Sequence, residues 1–203
     1  MHKLNALKLI AVSAGFIGAS SLFVACSEPA AKFAAVDLTG ADYAKDFQLT
    51  DHNGQPRNLK DFAGKLVVVF FGYTQCPDVC PTSMAELAEI KKSLGADGDK
   101  LQGIFVTVDP ARDTPEVLKA YMANFDPTFL SLIPTPVQLA ALAKDYKVYY
   151  KKVDGPTPTS YTMDHSAGSY VYDTQGRLRL SARYGGGAAA LAADLKLLLK
   201  QKA

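Results

Sequence analysis

The chain has 203 residues, 48% of them hydrophobic and 21% charged, with 22 Lys and Arg against 20 Asp and Glu. That length and composition fit one globular domain with a real core; there is no internal repeat or low-complexity run. Setting aside a leader that carries Lys3 and Lys8 leaves 20 basic residues facing 20 acidic ones, and this neutrality argues against nucleic acid as a partner.

Residues 1–25 read as an export signal or membrane anchor: a short basic stretch to Lys8, then apolar or small residues without charge. The run closes on Leu22-Phe23-Val24-Ala25-Cys26, a pattern like the lipobox of bacterial lipoproteins, so Cys26 is expected to carry lipid. Phe23 stands where that pattern usually has leucine, and the alternative is an uncleaved anchor. Both place the rest of the chain outside the cytoplasm, facing the periplasm or another extracytoplasmic space and tethered to a membrane. Residues 26–40, rich in alanine, read as the tether, and 41–203 as the domain.

Residues 47–50 and the stretch after Pro56 flank Asn53-Gly54, a hairpin signal, with His52 in the turn and expected in solvent. The β-branched and aromatic run 66–71 predicts a central strand buried on both faces. A helix over 81–94 follows, then a strand over 101–108. Asp113-Thr114-Pro115 starts a helix to about 124, and 129–133, 136–146 and 147–153 read as strand, helix and strand. Residues 169–173 and 177–184 form an antiparallel hairpin, and 188–200 an amphipathic closing helix. The fold class is α/β: a thioredoxin-like fold, its mixed central sheet flanked by helices, with an N-terminal hairpin.

Cys76-Pro77-Asp78-Val79-Cys80 lies between the first central strand and the first helix, with Pro81 as the first helical residue and Cys80 as N-cap. Unpaired backbone donors there favour a thiolate, which can attack a disulfide or bind a soft metal ion; the motif alone does not separate the two. Three residues separate the cysteines, where redox thioredoxins have two. The wider loop can place both sulfurs around one ion and still permits a disulfide. In an oxidising compartment the pair acts together, since Cys26 is the only other cysteine. A third ligand has two candidates in the mature domain, His52 in a polar turn and His165 in the segment before the last hairpin. Two thiolates and the His165 imidazole would suit Cu(I). Met84 and Met163 are expected to pack rather than ligate. Asp109, Arg112 and Asp113 are explained as capping plus an Arg–carboxylate pair that orders their loop.

Phe71-Gly72-Tyr73-Thr74 followed by Cys76-Pro77-Asp78-Val79-Cys80-Pro81-Thr82 resembles the signature of the Sco/SenC family. The resemblance continues through Val108-Asp109-Pro110-Ala111-Arg112-Asp113-Thr114-Pro115, Phe125-Asp126-Pro127 and Asp164-His165-Ser166, with Tyr170 and Asp173 after them. One departure is Leu130-Ser131-Leu132-Ile133-Pro134-Thr135, where the family often has a Gly-Leu-Thr-Gly-like stretch. The resemblance implies copper as cofactor, with Cys76, Cys80 and His165 as its ligands. It implies a metallochaperone that delivers Cu(I) or Cu(II) to the Cu-A site of a cytochrome c oxidase subunit, with a thiol reductant as second partner. The rival is an enzyme, a thiol-disulfide oxidoreductase using Cys76 and Cys80 as its redox pair.

Overall fold

A computed structural model describes residues 32–157 and 160–201; the leader and Cys26 lie outside the described residues. The elements are β1 (Val36–Asp37), β2 (Gln48–Asp51), β3 (Pro56–Asn58), β4 (Leu66–Gly72), α1 (Val79–Ser93), β5 (Leu101–Thr107) and α2 (Pro115–Ala123). They continue with β6 (Leu130–Ile133), α3 (Pro136–Tyr146), β7 (Tyr150–Val153), β8 (Thr162–His165), β9 (Ser169–Tyr172), β10 (Leu178–Ala182) and α4 (Ala188–Lys200). Among them no helix is long and apolar enough to cross a membrane.

Eight strands form one mixed sheet in the order β1-β10-β9-β4-β5-β6-β2-β3. β4, β5 and β6 run parallel, joined by the α1 and α2 crossovers, while β9 and β2 pair antiparallel with the two sides of this parallel core. All seven residues of β4 and all seven of β5 are buried. Covering a large apolar side chain contributes about 1.5–3 kcal/mol, so the run Leu66 to Phe71 stabilises the molecule only at the sheet's centre, where both faces are covered. The helices α1 and α4 pack together, and α4 also lies against β4. This is the thioredoxin-like arrangement expected from the sequence.

The region read as tether ends in a strand. Val36–Asp37 pairs with β10, and the buried Asp194 of α4 accepts the amides of Ala34 and Ala35 at 3.0 and 2.8 Å. Too short to show periodicity, β1 gives no pattern in the sequence. Residues 147–153 also behave differently from expectation. Lys147 closes α3 in the left-handed region (φ 55°), and the strand that follows, β7, joins β8 in a separate two-stranded sheet.

Two hairpins share one device. In the β2–β3 turn, Asp51 accepts the amides of Asn53 and Gln55 and the Arg57 Nε at 2.8 Å. In the β9–β10 turn, Asp173 accepts the amides of Gln175 and Arg177, the Arg177 Nε at 2.8 Å and the Arg179 Nη1 at 3.2 Å. Burial works to raise the Asp173 pKa, but these bonds outweigh it and hold the carboxyl below its ordinary value. Asp173→Asn keeps the shape and removes the charge that the half-buried Arg179 needs, so a loss of about 2 kcal/mol is expected, below the usual cost because Arg177 is largely exposed. Because the folded-state pKa is the lower one, this contribution is complete above the unfolded carboxylate range and disappears as pH falls through the folded value. Urea midpoints of parent and variant should therefore differ at pH 7 and converge in acid; a constant gap would contradict it.

Candidate metal centre

β4 delivers the chain to Gly72 at the carboxyl end of the parallel strands, where the crevices of α/β sheets form. The following loop turns tightly, the Cys76 amide donating to the Tyr73 carbonyl at 3.3 Å, and α1 begins at Val79 with Asp78 at its N-cap. The helix thus starts two residues before Pro81, placing Cys80 inside the first turn instead of at the cap. That position turns the Cys80 sulfur inward, to 0% exposure, while Cys76 stays half-buried. Both are free cysteines. Burial pushes the Cys80 thiol pKa well up, against the lowering effect of a backbone bond at Tyr73. Desolvation therefore outweighs the helix start and favours the protonated thiol at Cys80, where position alone favours the thiolate.

His165 ends β8 and reaches the same point from the other side of the fold. Its Nε2 lies 3.3 Å from Cys80 Sγ, and its Nδ1 lies 2.9 Å from the Ser166 carbonyl oxygen. A carbonyl can only accept, so Nδ1 carries the proton and Nε2 keeps its lone pair for the sulfur or for an ion. Phe70 and Tyr73 set their rings perpendicular to the imidazole at centroid distances of 6.1 and 5.8 Å, fixing its plane. Burial lowers the His165 pKa, which keeps the ring neutral. The ligand atoms of Cys76, Cys80 and His165 all lie within 4.8 Å of one another, the single such group of His, Cys, Asp or Glu among the described residues. Two soft sulfurs and one oriented imidazole form a donor set that fits Cu(I) and leaves little for a hard cation.

Several supporting residues escape the sequence reading. Asp113, with Thr114 one of the two cap candidates at the head of α2, is fully buried and accepts the Thr74 and Thr107 hydroxyls at 2.6 Å each, with the Thr74 amide. It ties the cysteine loop to the end of β5, and burial raises its pKa against the pull of those bonds. The cap of α2 is Thr114. Arg112 and Asp109 do pair, as expected. Met84 and Met163 are buried in the core. His52 is not a free turn residue: it is half-buried, and its Nδ1 accepts the Ser131 amide of β6 at 3.1 Å. A partner 79 positions away left no local signal.

A thioredoxin-like sheet with two free cysteines and a neutral histidine converging at its strand–helix junction defines a domain with the donors of a soft-metal centre. The SCO1/SenC family profile matches residues 36–200, and the chain belongs to that family. An SCO2-like protein of Rickettsia felis is 34% identical over 179 residues, covering 85% of this chain and 87% of that protein. The structure of Bradyrhizobium japonicum ScoI with copper bound is 44% identical, with a TM-score of 0.69 over 76% of this chain and 98% of that one. Apo Sco1 of Thermus thermophilus is 36% identical, with a TM-score of 0.73 over 83% and 98%.

Gly72 sets the room available to the buried sulfur. A Cβ there would stand 2.8 Å from Cys80 Sγ, 2.8 Å from a Phe70 ring carbon and 2.9 Å from one of Phe105. Gly72→Ala should overpack this point and cost about 1–3 kcal/mol in denaturant melts. A midpoint equal to the parent's would mean that the sulfur yields without strain.

Proposed function

We propose that this chain is a copper carrier of cytochrome c oxidase assembly, holding Cu(I) through Cys76, Cys80 and His165 and passing it to the Cu-A site of an oxidase subunit. One observation carries the proposal: two sulfurs and an unprotonated imidazole nitrogen within 4.8 Å, at the junction where the fold presents them. Copper is the cargo. Capture requires the buried Cys80 thiol to give up its proton, and the ion that takes its place leaves no unpaired thiolate in the core. Support comes also from the ScoI relative, whose structure contains copper. Export, lipid on Cys26 and a thiol reductant that keeps the pair reduced belong to the same proposal, since a carrier working in an oxidising space needs both a tether and reduced sulfurs.

Anaerobic Cu(I) titration against a competing chelator tests the ligand set. An outer partner of a metal site costs about 10–100-fold in affinity, so His165→Ala and Cys76→Ser, which remove ligands themselves, should each lose more than about 100-fold. A His165→Ala chain binding as tightly as the parent would remove the histidine from the site. Transfer is read by mixing the copper-loaded chain with a metal-free Cu-A domain, separating the two and measuring the copper on each; copper that stays wholly on the carrier would argue against delivery.

A second reading, a thiol-disulfide oxidoreductase, is favoured by the unequal exposure of two neighbouring free thiols. Half-buried Cys76 can attack an acceptor disulfide, and buried Cys80 can then displace the product thiol, leaving the acceptor reduced and the pair oxidised. Under the copper proposal His165→Ala disables the carrier. Under the reductase reading, the same variant should still reduce a Cu-A domain disulfide catalytically in the presence of an external thiol, and that turnover would overturn the carrier assignment.

A further inference from the structure

β8 carries His165, yet the β7–β8 sheet shares no ladder with the eight-stranded sheet that carries the cysteines. The three-residue link from His165 to β9 limits how far the arm can move, and side chains across the seam must set the rest of its register. Arg112, in the loop between β5 and α2, stands at that seam. Its Nη1 donates to the Gln75 side-chain oxygen, next to Cys76, at 3.0 Å and to the Tyr161 carbonyl, just before β8, at 2.8 Å. Its Nε pairs with Asp109, which also accepts the Tyr161 hydroxyl at 2.8 Å. The guanidinium lies 3.5 Å from the centre of the Tyr161 ring, which Lys152 of β7 approaches at 4.2 Å, and 5.7 Å from Tyr73, one of the two rings that frame His165. The Arg112 side chain is 14% exposed, and its Nη2 is buried with no hydrogen-bond partner among the described residues. A guanidinium that has left water for this spot is joined at once to the cysteine loop and to the arm of the histidine.

We propose that Arg112 is a positioning residue of the centre: it clamps the β7–β8 arm to the cysteine loop and so sets His165 within reach of Cys80. The planar fork is what allows one side chain to bond both segments while stacking on Tyr161, a combination no lysine offers. The inference rests on the three-ligand copper reading, so its test separates the two.

Cu(I) affinity is measured by chelator competition in the full chain for the parent, Arg112→Ala, His165→Ala and the double variant, with hydrogen exchange of the metal-free chains alongside. A residue acting through His165 should weaken binding about 10–100-fold alone and cost nothing further once His165 is absent. The β7–β8 amides should lose protection while those of β4 and β5 keep it. An equal loss in both backgrounds, or no loss in either, overturns the clamp. If His165→Ala binds as tightly as the parent, the copper-ligand reading fails instead; the clamp is then judged on exchange, and unchanged protection of β7–β8 overturns it. Should Arg112→Ala not fold, Tyr161→Leu removes the stacked ring and its hydroxyl bond while leaving the Arg112 side chain, and the same cycle applies.

Discussion

Desolvation of Cys80 is the constraint on which the rest of the site depends. A thiol sealed at the carboxyl end of β4 cannot ionise by itself, so without an ion it rests as a neutral donor against a neutral imidazole. Neutrality lets the donors stay packed in an apolar frame of Phe70, Tyr73 and Phe105 without burying an unpaired charge. A soft cation is what this arrangement suits best, because two sulfurs and an imidazole are soft donors. A hard cation would find no oxygen ligands in this group of donors.

Around that point the chain uses buried carboxylates as ties between segments far apart in sequence. Asp113 joins the cysteine loop to β5, Asp109 holds Arg112 and Tyr161, and Asp194 fastens the residues before β1 to α4. Each accepts several donors, which offsets the cost of burying the group. Asp51 and Asp173 do the same within hairpin turns and keep the outer strands in register. Of these ties, those of Asp113 and Asp109 reach the cysteine loop and its neighbours.

What could be read beforehand follows physical range. The buried run of β4, the helices α2 and α3 with threonine caps and proline in the first turn, and the Asn-Gly turn are set by neighbours within a few residues, and they stand where expected. So does the cysteine pair at its strand–helix junction. β1 and β8 are too short for periodicity and exist because β10 and β7 are there to pair with them. The helix start at Val79 departs from the reading because proline marks the first turn of a helix without fixing which position in it. The Cys80 protonation state was misjudged for a related reason: the helix end is a local property, whereas burial belongs to the whole fold. His165 could be singled out by elimination among histidines and by family resemblance, but its tautomer and its ring frame depend on Ser166, Phe70 and Tyr73 meeting in space.

The unequal exposure of the donors gives the copper proposal a direction. Cys80 is sealed, whereas Cys76 and His165 are both half-buried, Cys76 on a loop flanked by the exposed Gln75 and Pro77 and His165 held by two rings and a carbonyl. An acceptor ligand can approach an ion at this site only where solvent can, which is on the side of Cys76 and His165 and not on that of Cys80. Under the copper proposal, exchange would begin with an incoming sulfur or imidazole on that open side, with the sealed Cys80 the last of the three donors an acceptor could reach. Once the ion has left, Cys80 takes back a proton and its contact with the His165 Nε2, and the neutral pair is restored without a charge stranded in the core.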